Sequence, residues 1–252
     1  MPRFFLQQSQ INNGKVTITG DDAHHISRSL RMVAGEHITV CDMQKHEYDC
    51  VLEHFSDTAV EARIVSVVDA DTEPVFFAHL YQALPKGDKL DSVIQKAVET
   101  GVSEITPFES ERCIVKVKPD SEARKTERRC RIALEAAKQC GRSYVPLVND
   151  TVSFETMLRE AAKADISLFC YEGDGTRSIK EILESVDVNS ICKSERPLTI
   201  SLIIGSEGGF SLDEASRAKE IGMMMTGLGK RILRTETASG FALGCIAYRF
   251  DL

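Results

Sequence analysis

The hydrophobic pattern of the chain changes period near residue 70. Before that point short runs alternate apolar with polar positions: "KVTITG", "HITVCD", "DCVLEHF" and "AVEARIVSVV", separated by turns that carry glycine or aspartate. A period of two puts one face on a core and the other in water, which predicts a small β-barrel or sandwich. One stretch breaks the alternation. "DAHHISRSLRMVAG" reads as a helix that opens after Asp21 or Asp22 and closes at Gly35. "DADTEP", residues 69–74, then reads as a linker.

From Phe76 onward apolar strands alternate with amphipathic helices, the pattern of a largely parallel α/β domain. Strand "FFAHLYQAL" leads into a helix in which Leu90, Val93, Ile94, Ala97 and Val98 share one face and Gly101 is the stop. Strand "SEITPF" follows, then a basic helix over 122–140 ending at Gly141, a helix over 153–164 and strand "ISLFCYE". A helix over 178–185, strand "LTISLIIG", a helix over 211–221, strand "MMMTGL" and a helix from residue 236 complete the series. Two domains are expected, 1–72 and 73–252.

Composition narrows the chemistry. With 252 residues and 42% apolar side chains the chain can bury real cores, so disorder is excluded for its bulk. No apolar run approaches the roughly 20 residues of a membrane span, and "MPRFFLQQSQ" reads as neither a signal nor a transit peptide. Eight cysteines without a C-x-x-C pair, Cys192 among them, read as reduced thiols of a cytoplasmic protein, with no metal site. All six histidines fall at or before His79, which removes Ser-His-Asp, Cys-His and His-metal chemistry from everything after it.

The net charge of −7 is unevenly spread: residues 1–73 hold 6 basic and 12 acidic side chains, whereas residues 111–142 hold 10 and 5. Such a stripe fits contact with a polyanion, and it fits equally a solvated helix face laced with i,i+4 pairs.

Two glycine-bearing loops carry the candidate chemistry. "GSEGGFSLDEA" follows a buried strand and runs into a capping box, Ser211 with Glu214. It lacks the Lys-Ser/Thr of a P-loop and the spacing of a dinucleotide fingerprint. "GLGKRILRTETA" has the same strand-loop-helix layout, with Thr235 as N-cap and Glu236 in the first turn. Capping explains "TET" but not Lys230, Arg231 and Arg234, which gain nothing from a helix N-terminus. Two such loops on one sheet edge can wall a pocket for a nucleoside-like ligand, the cations serving a polyanionic second substrate. Glu172 and Gly173 form a third wall or a plain loop.

"ALPKGDKLDSVIQKAVETGVSEITPFESERCIVK", "RIALEAAKQCGRSYVP", "LIIGSEGGFS" and "LGKRILRTETA" together resemble the signature blocks of the ribosomal RNA small-subunit methyltransferase E family, and "RFF" with "HHISRSLRMVAGEHITV" resembles its N-terminal domain. Ser206 departs from the proline usual in "GPEGG", and "VETG" from the usual "TELG". The resemblance implies an α/β domain of the SPOUT type with a trefoil knot, a PUA-like barrel before it that helps hold RNA, and a homodimer. It implies S-adenosylmethionine as cofactor and N3 of a uridine in 16S ribosomal RNA of the small ribosomal subunit as methyl acceptor. Loss of catalysis in an assembly factor of the same fold, or methylation of transfer RNA or of a ribose 2′-oxygen, are the alternatives.

On the resemblance, the cofactor residues are Ile204, Gly205, Gly208, Gly209, Leu228, Gly229, Ile232, Leu233, Thr237 and Ala238. Arg234 is the candidate for holding the uracil oxygens or a phosphate, and Glu207 or Glu236 for taking a proton or orienting the cofactor. Arg28 and Arg31, three apart on the helix of the barrel, would face the RNA together. Arg3, Arg112, Arg128, Arg129, Arg142, Lys230 and Arg231 extend the expected RNA contact.

Overall fold

The structure, a computed structural model, describes residues 1–117, 119–187 and 196–251, so Cys192 lies outside the described residues. The chain divides into two compact units, Met1–Glu73 with Ala137–Val145, and Pro74–Ala136 with Pro146–Leu252. Residues 137–145, placed in the second domain by the sequence pattern, therefore count with the first unit.

In the first unit six strands form one sheet: β1 (Arg3–Phe5), β2 (Ile11–Asn12), β3 (Lys15–Thr19), β4 (His37–Cys41), β5 (His46–Phe55) and β6 (Ala59–Asp69), in the order β1-β4-β5-β6-β3-β2. Pairing is antiparallel except for β1, which runs parallel to β4. The alternation is literal in β3, where Val16 and Ile18 are buried and Lys15, Thr17 and Thr19 exposed. Phe4, Ile26, Ile38 and Leu52 join them in the core.

The helix expected to run to Gly35 does not. A short α1 (Gly20–His24), with Thr19 as its N-cap, passes into a wide turn over His25–Ser29, closed by the Leu30 N–H on the His25 carbonyl. Arg31 then takes a φ of 53°, left-handed backbone that cannot continue a right-handed helix. The widened turn keeps Ile26 fully buried, so core packing overrides the local helical period.

The second unit is built on eight strands: β7 (Phe76–Ala83), β8 (Glu104–Glu109), β9 (Leu147–Val148), β10 (Val152–Ser153), β11 (Ile166–Cys170), β12 (Arg177–Ser178), β13 (Leu198–Ile204) and β14 (Met224–Gly227). Their order is β10-β8-β7-β13-β11-β14-β12, with β9 beside β8, and every pair is parallel. The helices are α2 (Lys89–Glu99), α3 (Pro119–Cys140), α4 (Phe154–Ala161), α5 (Ile179–Glu184), α6 (Leu212–Glu220) and α7 (Thr235–Phe250).

All five residues of the apolar face predicted for α2 are buried. Gly101 ends it at a φ of 89°, and a β-carbon there would stand 2.7 Å from the Pro74 ring, so the position requires glycine twice over. β13 lies between β7 and β11, with β14 beyond β11. Because these strands are parallel, the segments that leave β7, β11, β13 and β14 gather at one carboxyl edge of the sheet, where open α/β folds bind ligands.

Candidate active site

Ile204 ends β13, and the glycine loop begins at once. Ser206 and Gly209 face each other across a tight hairpin in which the Gly209 N–H donates to the Ser206 carbonyl at 3.0 Å. Gly209 takes a φ of 63°, open to glycine at no cost. Gly208 is glycine for a different reason: a β-carbon would come within 3.0 Å of the Arg112 side chain, whose guanidinium donates to the Gly208 carbonyl at 3.1 Å. Ser211 then caps α6, accepting the Glu214 N–H while Glu214 accepts that of Ser211. The buried Glu214 carboxylate also accepts the Glu111 N–H at 2.8 Å, which fastens the loop to the segment after β8.

The second wall starts where β14 ends. Leu228, Gly229 at a φ of 110°, and Lys230 to Leu233 lead to Arg234, the N-cap of α7. Thr235, expected as the cap, is instead the first helical residue. Its buried Oγ1 donates to the Gly205 carbonyl at 2.7 Å and accepts from the Gln82 side-chain amide at 2.8 Å. A side chain committed to the neighbouring loop cannot cap its own helix, and this bond ties the two walls together.

Between the walls lies a cleft of about 710 Å³, a size suited to a nucleotide-scale ligand. Ile204, Gly205, Gly208 and Gly209 line it from one side, and Leu228, Gly229, Ile232, Leu233 and Ala238 from the other. Glu172 and Gly173 close a third side. Thr237 is exposed and lies outside the lining, because it points away from the buried face of α7 that carries Ala238.

Charge gathers at one side of the cleft. Lys89, first residue of α2, lies 2.7 Å from Glu207 and 3.7 Å from Glu236. Burial pushes the Glu207 carboxyl up, but the Lys89 ammonium and the Lys86 backbone N–H outweigh it and hold the group below the usual carboxylate range. The hydrogen bond to Glu207 raises the Lys89 ammonium. Arg112, Lys230, Arg231 and Arg234 are exposed cations of the lining. Ser206 Oγ and Glu236 Oε2 are buried without a hydrogen-bond partner among the described residues.

A family model described as "RNA methyltransferase domain" matches residues 72–247, and one described as "RNA methyltransferase PUA domain" matches residues 18–65. Ribosomal RNA small subunit methyltransferase E of Bacillus subtilis (strain 168) is 33% identical over 255 residues, spanning 100% of this chain and 98% of the relative. The chain belongs to the ribosomal RNA small subunit methyltransferase E family. A family member from Neisseria gonorrhoeae, solved bound to S-adenosyl methionine, is 28% identical with a TM-score of 0.82, over 98% of this chain and 97% of that one. A methyltransferase of Legionella pneumophila, solved in complex with the bound cofactor SAM, is 30% identical with a TM-score of 0.84, over 98% and 96%.

Several arginines expected to meet RNA are committed elsewhere in this family member. Arg3 is half-buried, pairing with Glu47 at 2.6 Å and donating to the Arg142 carbonyl. Arg142 is itself buried on Glu73, and Arg129 is buried on Glu122 at 2.8 Å and Thr151. Buried cations paired this closely hold the fold and are not presented to a phosphate. Arg128 is exposed and pairs with Asp91. Arg28 sits exposed in the wide turn, but Arg31 falls beyond it on left-handed backbone, so the two do not share a helical face.

Lys89 and Gln82 are site residues that the sequence pattern did not single out. Gln82 is a fully buried amide near the carboxyl end of an apolar strand run, and an amide there is a visible signal. Lys89 reads as an ordinary charge before a helix, and only the fold brings it to carboxylates more than a hundred residues away. Cys170 and Tyr171, at the end of β11, also line the cleft.

Proposed function

We propose that this chain transfers the methyl group of S-adenosylmethionine to N3 of a uridine in 16S ribosomal RNA of the small ribosomal subunit. The observation that carries the proposal is the cleft itself: two glycine loops at the carboxyl edge of a parallel sheet, joined by Thr235, with an arginine at the junction. The names of the relatives support the RNA substrate, and the two relatives solved with the cofactor support the ligand.

The residues present fit that cofactor. Gly209 leaves room for backbone approach, the apolar side chains of Ile204, Leu228 and Leu233 suit a nucleoside, and carboxylates stand close enough to answer positive charge. When bound, the cofactor supplies a methyl group already activated on a sulfonium. What remains for the protein is to place the acceptor in line and exclude water. For N3 to accept that methyl it must give up its proton, so the protein has to hold the uracil ring and take the proton. Arg234, always charged, is the residue proposed to hold the oxygens of the resulting uracil anion. Glu207, kept ionised beside Lys89, is the proposed proton acceptor. Arg112, Lys230 and Arg231 are the proposed RNA contacts at the rim, and Arg28 and Arg31 those of the first unit.

The family's homodimer and trefoil knot belong to the same proposal. An exposed apolar stripe on α7 supports the first. The test is incubation with labelled S-adenosylmethionine and small subunits that lack this modification, followed by mapping of the labelled nucleoside. Label in N3-methyluridine is expected. Label in a 2′-O-methyl nucleoside or in transfer RNA, or cofactor binding without transfer, overturns the assignment.

A further inference from the structure

Lys89 opens α2, a place where a cation works against the helix dipole and where sequence preference favours an acidic residue. The surrounding charges give it a reason. Its Nζ stands 2.7 Å from Oε1 of Glu207, on the loop after β13, and 3.7 Å from Oε2 of Glu236, in the first turn of α7. One ammonium thus joins the two walls of the cleft, beside the neutral tie made by Thr235. Oε2 of Glu236 is buried and has no hydrogen-bond partner among the described residues, so the Lys89 charge is what stands against it. Glu207 also accepts the backbone N–H of Lys86, three residues before Lys89 on the same segment. Arg234 at the start of α7 also acts on Lys89, Asp88 and Asp91 flank it on its own segment, and Arg112 donates to the Gly208 carbonyl beside Glu207.

We infer that Lys89 is a positioning residue for methyl transfer: it clamps Glu207 and Glu236 to one cation, presents Glu207 at the cleft wall in its carboxylate form, and keeps the glycine loop in register with α7. The inference rests on the methyltransferase reading above and extends it to a residue outside both loops. Without the ammonium, the partly buried Glu207 keeps its desolvation and loses its nearest opposite charge, and the cheapest relief is to bind a proton. Transfer then fails at acidic pH first, because the carboxylate proposed to take the N3 proton already carries one.

The test compares wild type with Lys89→Met and Lys89→Arg in single-turnover transfer across a pH series, alongside calorimetric binding of S-adenosylmethionine and NMR titration of the Glu207 carboxyl. For Lys89→Met the rate near neutral pH is expected to fall about tenfold or more, with cofactor Kd within about threefold of wild type. The acidic limb of the pH profile and the Glu207 titration both move upward. Lys89→Arg restores the limb. If Lys89→Met does not fold, Lys89→Gln carries the same expectation. A folded neutral variant with the wild-type rate, pH profile and Glu207 titration overturns the inference. Should wild type itself transfer no methyl to RNA, the proposed function fails, and the Glu207 titration still decides the clamp: upward supports it, unmoved overturns it.

Discussion

Arg234 and Ser206 sit on opposite walls of the cleft and lead to opposite expectations at the scale of the residue. Arg234 caps α7 with its backbone and makes no side-chain cap, so its guanidinium contributes little to the helix it opens. Truncation to alanine should leave folding and cofactor binding nearly intact while the single-turnover rate of methyl transfer falls about a hundredfold, the scale of losing one preorganised donor at developing charge. Equal losses in rate and in cofactor affinity would assign the side chain to the cofactor. Ser206 buries a hydroxyl with no partner among the described residues. A desolvated, unpaired hydroxyl costs about 1–3 kcal/mol. Ser206→Ala is therefore expected to raise stability by about 1 kcal/mol, read from the denaturant midpoint. A drop in stability would mean that the hydroxyl has a partner when the protein is folded in solution.

Elements differed in how much of them the residues announced. The five apolar positions of α2 recur at helical spacing and all are buried, and the Ser211–Glu214 box starts α6 as its spacing required. Periodicity failed where a distant core decided the backbone. Ile26 stays buried through a widened turn, and Arg31 leaves the helix that local pattern extended to Gly35. Pairing was equally invisible: Arg129 and Arg142 look like surface charge until Glu122 and Glu73 are brought to them. Thr235 reads as a cap because its real partners, Gln82 and Gly205, are 153 and 30 residues away. The hairpin between β4 and β5 carries a buried carboxyl, Asp42. Burial raises the Asp42 carboxyl, but N–H bonds from Gln44 and His46 and the His46 ring outweigh it and hold the group below its ordinary value. A group depressed on folding adds stability above about pH 4, lost as pH falls through the folded value. Asp42→Asn should flatten the acid limb of stability against pH. An unchanged limb in the variant would place acid unfolding elsewhere.

At the scale of the whole molecule, α7 is apolar on two faces, which a helix covering only its own core does not need. Ala238, Ala242, Leu243 and Ile246 pack inward, whereas Thr237, Phe241, Gly244, Cys245 and Tyr248 recur at helical spacing on the outer side. Phe241 is 43% and Tyr248 78% exposed. An outer stripe of aromatics beside Gly240 and Gly244 suits close approach of an identical helix about a two-fold axis, where each residue meets its own counterpart or a near neighbour. The homodimer proposed above is expected to form on this face. Light scattering should report twice the chain mass for wild type and the single mass for Phe241→Asp/Tyr248→Asp, since a carboxylate against its symmetry mate is both desolvated and repelled. Neither side chain lines the cleft. A folded monomeric variant that has also lost affinity for S-adenosylmethionine would show that the partner completes the cofactor site, while one that binds normally would confine α7 to assembly. A wild type that runs as a monomer at micromolar concentration would remove the dimer and leave the outer stripe of α7 to another partner.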